Sequence, residues 1–214
     1  MKVVEAPMVR LGIELGLGCS DACDEFAGPL FLQLNSGKYD ECAVMPLPKS
    51  RRAWEDEHRT GRKRAWRAEG FGYFAARINR GEFEDDVHAI NTSRDYRQGR
   101  PMTDGYRTPP TYLDTEYPCS RHGVHAYGVL DGHGTLVAYL WMYRAGDLAL
   151  VSQVLGHGNH EGYGIMYLLF REALTAEGAI APGVCVYNRY DSGTDGLRFL
   201  KDRVGFEPDR KSVV

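Results

Sequence analysis

A glycine-containing turn between an apolar run and an amphipathic run is the segment of the sequence best suited to chemistry. Residues 148–155 are apolar and residues 162–177 carry a helical apolar face; between them lie Asn159, His160, Glu161, Gly162, Tyr163 and Gly164. Glycines let the backbone approach a phosphate closely, and the N–H groups at a helix N-terminus carry positive partial charge. The turn therefore predicts a phosphate-binding site, with a simple tight turn as the alternative.

Basic residues are concentrated in one part of the chain. Residues 49–107 contain 14 of the 26 lysines and arginines against 10 of the 29 acidic residues, so this part carries about +4 and the remainder about −7. The density is highest over residues 49–67. This asymmetry favours a polyanionic partner, such as nucleic acid or a phosphorylated cofactor. A solvated helix face with local ion pairs is the plainer interpretation.

The elements that position these residues follow from the hydrophobic pattern. A basic helix is predicted over 50–69 with Ser50 as its N-cap, and an apolar-faced helix over 162–177 with Gly178 as its stop. Further strands are predicted at 31–34, 72–78, 125–130, 135–143, 148–155 and 184–187, and further helices at 82–91 and 196–204. Residues 92–122 are expected to be mostly loop. The pattern predicts an α+β fold with a mixed, mostly antiparallel sheet flanked by helices.

Length and composition restrict the class of protein. A chain of 214 residues with 43% hydrophobic residues suits a single soluble domain, 1–214. It contains no apolar run of the roughly 18 residues that span a bilayer and no signal-peptide pattern, so we expect a cytoplasmic protein with no membrane partner.

The cysteines predict free thiols, because five scattered cysteines suit neither a disulfide framework nor a zinc motif. Cys185 is expected in the core. Cys19 and Cys23 could join His122 and His125 in a zinc site, but their flanks do not resemble known zinc motifs, and we expect no metal.

The order of strand, glycine turn and helix resembles the acyl-CoA-binding core of the GNAT (GCN5-related N-acetyltransferase) superfamily. In that family a loop patterned Gln/Arg-x-x-Gly-x-Gly/Ala begins the helix, and residues 159–164 occupy this place, with Asn159 where the family has Gln or Arg. The run LRFLKDRVGFEP at 197–208 resembles the last helix and strand of the family. The resemblance covers about residues 124–210 and implies the GNAT acyltransferase fold, with the acyl-CoA-binding core in this part.

The first half of the chain is similar to the opening helix of the FemAB-like branch of this superfamily. The likeness is carried by PKSRR at 48–52, RKR at 62–64, EGF at 69–71, and Lys201 shortly after Phe199. Members of this branch transfer aminoacyl groups from charged tRNA, or acyl groups from CoA, to amines. The basic 49–107 region is accordingly expected to serve the acceptor, and its 49–67 helix is the expected contact for nucleic acid.

The resemblance implies an N-acyltransferase that transfers an acyl group, most simply from acetyl-CoA or another acyl-CoA, to an amine by direct attack. The end of the strand would supply a backbone donor for the oxyanion, at Val154, Leu155 or Gly156. The cofactor pyrophosphate would bind at Asn159, His160, Gly162, Tyr163 and Gly164. The candidate general bases are His157, His160 and Glu161. Their alternative role is that of polar residues that cap the helix.

The acid and the acceptor site are also given only by the resemblance. GNAT enzymes often use a tyrosine on the last helix as the acid, but Leu200 or Lys201 stands there in this sequence. Tyr187 and Tyr190, at the end of the preceding strand, are the substitutes, unless they serve only in packing. The acceptor site would contain three arginines that either hold an anionic acceptor or anchor their own loop: Arg94, Arg97 and Arg100.

The identity of the acceptor stays open at this point. It is expected to be a small-molecule or macromolecular amine. Two other functions are consistent with the same residues. One is transfer linked to nucleic acid, with an aminoacyl-tRNA donor or a modified base as acceptor. The other is a non-catalytic binding module on the same fold.

Overall fold

A computed structural model describes residues 42–112, 120–191 and 193–208, without the side chains of Asn188 and Arg189. The predicted strand at 31–34 and the cysteines at 19, 23 and 119 lie outside these residues. The helices are α1 (Arg51–Glu57), α2 (Arg59–Gly70), α3 (Glu84–Thr92), α4 (Asp104–Arg107), α5 (Ile165–Ile180) and α6 (Asp195–Val204), with 3₁₀ turns at Arg80–Phe83 and Glu161–Tyr163. The strands are β1 (Cys42–Pro46), β2 (Phe74–Arg77), β3 (Tyr96–Arg97), β4 (Arg100–Pro101), β5 (His122–Leu130), β6 (Leu136–Ala145), β7 (Leu148–Gly156), β8 (Val184–Arg189) and β9 (Glu207–Pro208).

Within the described residues, seven strands form one sheet in the order β2-β5-β6-β7-β8-β1-β9. All neighbouring pairs are antiparallel except β7 and β8, which are parallel because α5 connects them. β3 and β4 form a separate two-stranded hairpin. The predicted α+β class with a mixed, mostly antiparallel sheet is thereby confirmed.

The central strands are buried on both faces because helices cover the sheet on each side. α2 and α5 pack on one face, where Ala65, Leu169 and Phe170 are fully buried. α3 packs on the other face, where Val87 and Ile90 contact a cluster that includes Tyr139 and Trp141. This two-sided burial explains why β6 reads as a nearly continuous apolar run instead of an alternating one.

β7 and β8 separate partway along their length. The parallel pairing joins only Leu148–Leu150 to Val184–Val186. Beyond Leu150, β7 is paired with β6 alone, and the register between them shifts because Trp141 opposes Gln153 while Met142 opposes Val151. The extra residue makes a β-bulge, which increases the local twist and bends the strand. The second half of β7 therefore diverges from β8 and leaves a gap in the sheet.

The predicted helix over 50–69 is two helices that meet at His58. Ser50 is the N-cap, as predicted, and its hydroxyl accepts a hydrogen bond from the Ala53 N–H at 3.1 Å. His58 leaves the helical conformation at φ −111° and ψ 64°, and its ring packs 5.4 Å from the ring of Trp54. Trp54 is fully buried and donates to the Val204 carbonyl at 3.0 Å. The break between α1 and α2 thus coincides with the tertiary packing of Trp54 and His58, which helix propensity alone does not indicate.

Gly178 does not end the helix, contrary to the prediction. α5 continues to Ile180, and a Cβ atom on Gly178 would overlap the backbone carbonyl of Pro48. The glycine is required because the chain before α1 passes directly against α5 at this point.

A buried charged network fixes α5 to β5 and β6. The Glu177 carboxylate is fully buried and lies 2.6 Å from Nδ1 of His125, 2.7 Å from the hydroxyl of Tyr127 and 3.4 Å from the guanidinium of Arg144. Burial acts to raise the pKa of Glu177, but hydrogen bonds from His125 and Tyr127 and the charges of His125 and Arg144 lower it below its ordinary value. The carboxylate is therefore held in its charged form inside the protein.

Candidate functional site

The gap between β7 and β8 is the floor of a cleft of about 640 Å³. One wall of the cleft is apolar and comes from the sheet and its two flanking helices: Val154, Leu155, Gly156, Met166, Tyr167, Tyr187, Leu197 and Leu200. The other wall comes mostly from residues 94–106 and is polar: Arg94, Tyr96, Arg97, Gln98, Arg100, Pro101, Met102, Thr103 and Tyr106. Glu161, Thr194 and Gly196 complete the lining. The volume is typical of a pocket that holds a small organic ligand.

The free edge of β7 presents backbone amides to this cleft. His157 donates its N–H to the Val137 carbonyl of the β6 strand region at 2.8 Å. In an antiparallel ladder alternate residues point their N–H groups to the same side, so the amides of Val154 and Gly156 point away from β6. That direction is toward the gap left by β8. Two N–H groups are thus available at the edge of the cleft.

Glu161 ties the polar wall to the turn before α5. Its carboxylate lies 2.9 Å from the guanidinium of Arg97 and 3.1 Å from that of Arg94. Arg97 also donates to the Ser93 hydroxyl at 2.9 Å and to the Ile90 carbonyl at 3.1 Å. Both carboxylate oxygens are therefore engaged, and the two arginines anchor the loop that carries them.

Backbone groups strengthen the same junction. Gly158 donates its N–H to the Ser93 hydroxyl at 3.1 Å and accepts from the Arg94 guanidinium at 3.0 Å. A Cβ atom on Gly158 would lie 2.6 Å from Nε of Arg94, so a glycine is needed for this approach. Arg100, the third arginine of the predicted set, is exposed on β4 and lines the cleft without a described ion pair.

The predicted phosphate turn is a 3₁₀ turn followed by a left-handed glycine. Tyr163 donates to the His160 carbonyl at 3.1 Å, and Gly164 adopts φ +93° before α5 begins. A Cβ atom on Gly164 would overlap the backbone carbonyl of Arg64 in α2. Gly162 has no neighbour within 4 Å of a Cβ position. The two glycines therefore differ: Gly164 allows two helices to pack, whereas Gly162 is open to a ligand.

The two predicted histidines lie beside this turn and outside the cleft lining. His160 forms a 2.7 Å hydrogen bond between its Nδ1 and the hydroxyl of Tyr73, and its ring lies 5.3 Å from that of His157. The pKa of His157 is lowered by partial burial and by the neighbouring His160 and Arg97, with Glu161 opposing them. His157 is therefore neutral at pH 7. Asn159, between them, donates its N–H to Nδ1 of His157 at 3.3 Å.

The two predicted tyrosines have different environments. Tyr187 lines the cleft, and burial raises the pKa of its hydroxyl, which therefore stays protonated. The ammonium of Lys201 lies 5.0 Å from the centre of this ring, and burial lowers the pKa of Lys201 to about 8, against the opposing charge of Asp191. Tyr190 is outside the lining, and its hydroxyl donates to the carboxylate of Asp202.

The basic surface of α2 adjoins the turn before α5. Lys63, Arg64 and Arg67 are exposed. The Arg67 guanidinium lies over the exposed ring of Phe71, and that ring meets the ring of Tyr163 edge-on at 4.9 Å between centroids. Basic and aromatic groups thus form one surface that continues to the candidate phosphate turn.

Sequence reasoning missed several lining residues. Tyr106 belongs to a segment that was expected to be loop, and nothing in its local pattern indicates that it reaches the sheet. Tyr167 and Met166 belong to the predicted helix, and their position in its first turn beside the glycines is the signal that could have identified them. Leu197 and Leu200 lie on the half of α6 that packs against the core.

Neither a metal-binding cluster nor a membrane-spanning helix occurs in the residues that the structure describes. No group of three or more histidine, cysteine, aspartate or glutamate side chains there is arranged to hold a metal ion. His125, one member of the weighed zinc set, is instead bonded to Glu177. None of the described helices combines the length and apolar character needed to cross a bilayer.

Comparisons with known proteins identify the fold. The sequence matches no protein-family model and no curated protein. Among solved structures, FemX superposes with a TM-score of 0.61 at 8% identity over 82% of this chain and 61% of its own. The C-terminal domain (DUF2156) of a putative lysylphosphatidylglycerol synthetase from Agrobacterium fabrum has a TM-score of 0.52 at 13% identity over 79% of this chain and 58% of its own.

A GCN5-related N-acetyltransferase from Kribbella flavida is also similar, with a TM-score of 0.43 at 15% identity over 85% of this chain and 60% of its own. The present chain spans about three fifths of the length of each of these proteins. Together with the mixed sheet and the separation of β7 from β8, the similarity to FemX shows that the chain has a GNAT-like fold, as the resemblance in the sequence predicts.

Proposed function

We propose that this chain is an N-acyltransferase that transfers an acyl group from an acyl-CoA to an amine acceptor by direct attack. The observation that carries the proposal is the divergence of β7 from β8, which leaves the amides of Val154 and Gly156 facing a cleft. Acyl transfer needs hydrogen-bond donors where negative charge develops on the carbonyl oxygen, and preorganised backbone amides are suited to this.

The chemical step forms one bond and breaks another. The amine nitrogen attacks the thioester carbonyl carbon, and the amides of Val154 and Gly156 donate to the oxygen as it becomes negative. The C–S bond then breaks, the amide product forms and the sulfur leaves as a thiolate. The amine proton is lost to a base, and the thiolate gains a proton. No covalent intermediate with the protein is required.

The turn before α5 supplies the expected contact for the cofactor pyrophosphate. Gly162 is open, so a phosphate can approach its backbone, and the N-terminus of α5 adds a favourable dipole. Asn159, His160 and Tyr163 border the same turn. Gly164 supports this function indirectly, because its contact with α2 fixes the turn against the helix. Leu155, between the two donor amides, lines the cleft and completes the cofactor set.

Glu161 is our preferred acceptor for the amine proton, through the lone pairs that Arg94 and Arg97 leave free on its two oxygens. Of the three candidate bases it is the one that lines the cleft, whereas His157 and His160 are not part of the lining. The neutral state of His157 suits it to receive the proton afterwards and release it to solvent. Tyr187 lines the cleft and keeps its proton, so it is our preferred acid toward the thiolate, although burial makes its hydroxyl a weaker acid than that of free tyrosine. Tyr190 is a weaker alternative because Asp202 already engages its hydroxyl.

The polar wall is the proposed acceptor side. Arg94 and Arg97 are held by Glu161 and define the shape of this wall. Arg100 is exposed at its margin and can meet an anionic group on the acceptor.

The proposal is tested by measuring thiol release from acetyl-, butyryl- and hexanoyl-CoA in the presence of a panel of amines, with mass spectrometry of the products. Acylated amine with an equal amount of free CoA is the expected result. Retained binding of CoA without turnover by any amine would support a binding module, and the absence of both binding and turnover would contradict the proposal.

A donor linked to nucleic acid is the second candidate function. It is favoured by the surface where exposed Lys63, Arg64 and Arg67 adjoin the aromatic rings of Phe71 and Tyr163. Basic groups contact phosphates and exposed rings stack on bases, so this surface suits a single-stranded end. The same cleft would then accept an aminoacyl group from charged tRNA, as in the FemAB-like branch. Filter binding of charged and uncharged tRNA tests this alternative.

A further inference from the structure

The two walls of the cleft differ in chemistry, and the difference restricts the acyl group. Met166, Tyr187, Leu197 and Leu200 are contributed by three elements, α5, β8 and α6. Each side chain packs against the core on one side and lines the cleft on the other. A hydrocarbon placed against them would lose contact with water and gain contact with apolar atoms.

Charge is confined to the opposite wall. Among the described lining residues, the charged side chains are Arg94, Arg97, Arg100 and Glu161. Glu161 is the one carboxylate of this set, and Arg94 and Arg97 engage both of its oxygens. An ammonium group on an acyl chain that lies along Tyr187, Leu197 and Leu200 would therefore meet apolar side chains and no carboxylate. Moving a charge out of water without a partner is costly.

Size points in the same direction. In the proposed reaction the acyl carbon lies beside the amides of Val154 and Gly156, and Leu197 and Leu200 of α6 line the same cleft. An acetyl group carries a single methyl beyond its carbonyl. A longer chain adds methylene groups that can be buried against Leu197 and Leu200.

We infer that the acyl group transferred by this protein is an uncharged, apolar chain longer than acetyl, bound against Leu197, Leu200 and Tyr187. The inference rests on the proposed function and names its substrate class. Recognition comes from burial of methylene groups against these side chains, which include no carboxylate that would hold an ammonium.

The experiment measures the affinity of CoA thioesters by calorimetry in the absence of acceptor. Acetyl-, butyryl- and hexanoyl-CoA report on chain length, and free CoA gives the baseline. β-Alanyl-CoA is the matched probe for charge, because it has nearly the shape of butyryl-CoA with an ammonium in place of the terminal methyl. We expect affinity to rise by about fourfold for each methylene buried. We expect β-alanyl-CoA to bind at least about tenfold more weakly than butyryl-CoA.

Two neighbouring positions on α6 supply the matched variants. Leu200→Trp fills the apolar wall and should weaken hexanoyl-CoA by about tenfold while changing acetyl-CoA little. Phe199→Trp is the control, since Phe199 is 49% exposed and is not part of the lining. Leu200→Ala provides a second test if the larger residue disturbs folding. It should weaken hexanoyl-CoA by several-fold and leave free CoA unaffected.

The outcomes separate this inference from the function on which it rests. Equal affinity for all thioesters, or tighter binding of β-alanyl-CoA than of butyryl-CoA, would overturn the inference and leave the acyl-CoA donor in place. Failure of free CoA and of every thioester to bind would overturn the proposed function, and the inference with it.

Discussion

Gly164 begins α5 directly against the carbonyl of Arg64 in α2. Its φ of +93° lies in the left-handed region, and the space a Cβ atom would need is occupied by the Arg64 backbone. The glycine pattern that resembles a phosphate loop therefore serves two purposes in this protein. One glycine sets the distance between two helices, and the other faces open space at the candidate ligand site.

Substitution of the two glycines should separate these roles. Gly164→Ala should destabilise the protein by about 1–3 kcal/mol or more, because the left-handed conformation is strained for alanine and the new Cβ atom meets Arg64. Gly162→Val should leave the melting temperature nearly unchanged and weaken CoA binding by about tenfold, because its side chain would block phosphate approach. Urea denaturation and calorimetry measure the two effects.

Gly132→Val is the matched control for Gly162→Val, since Gly132 also has open space at its Cβ position and lies in the turn between β5 and β6. Gly132→Val should change neither the melting temperature nor the affinity for CoA. If a folded Gly162→Val variant bound CoA as tightly as the wild type, the turn would not be part of the cofactor site.

The base assignment is tested by three single variants. Glu161→Gln should lower the rate of acyl transfer by about 10²–10⁴, because it removes the proton acceptor while keeping the shape of the side chain. His157→Ala and His160→Ala should lower the rate by less than about tenfold, since neither side chain lines the cleft. Single-turnover kinetics at saturating donor separates these effects from binding.

A loss of 10² or more in a histidine variant, with Glu161→Gln active, would transfer the role of base to that histidine. Glu161→Gln also removes two ion pairs, so its CoA affinity and its unfolding curve must be measured beside the rate.

The sequence indicated most of the sheet and the glycine turn but not the cleft. The strand and helix on either side of the turn can be predicted from local sequence, because β7 is an apolar run and α5 has helical periodicity. The pairing of Arg97 with Glu161 joins residues 64 positions apart and depends on how the 94–106 segment folds back, which local pattern does not encode. Arg94, Arg97 and Glu161 were each singled out, yet their contact with one another was not expected.

The helix errors have a similar origin. The break at His58 accompanies a tertiary contact with Trp54, and the continuation of α5 through Gly178 depends on the approach of Pro48. Propensity rules interpret a glycine near the end of a helix as a stop, and a run of arginine, alanine and glutamate as one uninterrupted helix. Close packing overrides both rules here.

The basic surface of α2 gives a test that distinguishes the donors. If it binds nucleic acid, the triple variant Lys63→Ala, Arg64→Ala, Arg67→Ala should lower the slope of log affinity against log salt by about three, since each contact releases about one counterion. Bulk tRNA and CoA are titrated over a salt series.

Arg52→Ala is the control, because Arg52 is exposed on α1 and pairs with Asp56. Equal slopes of log affinity against log salt in the wild type and the triple variant would show that this surface does not bind nucleic acid and is a solvated helix face.

Glu177 should contribute strongly to stability in a pH-dependent way. Glu177→Gln leaves Arg144 without its buried countercharge and removes the carboxylate that His125 and Tyr127 contact, so it should lower the free energy of unfolding by about 3–5 kcal/mol at pH 7. The pKa of Glu177 is lowered in the folded protein, so its contribution is complete above the ordinary glutamate pKa of 4.5 and is lost as the pH falls through the folded value.

The stability difference between wild type and Glu177→Gln should therefore narrow below about pH 4.5. Glu172→Gln, a half-buried glutamate on the same helix, is the control. A difference that stays constant from pH 7 to pH 3 would show that folding does not lower the pKa of Glu177.

The most direct test of the account is residue-resolved amide hydrogen exchange by NMR, with and without a non-reactive thioether analogue of hexanoyl-CoA. The account predicts that the amides of Val154 and Gly156 become protected by about tenfold or more on binding. The amides of Gln153 and Leu155 point toward β6 and should change little. Saturation by the analogue with no change at Val154 and Gly156 would contradict the claim that the free edge of β7 binds the acyl carbonyl.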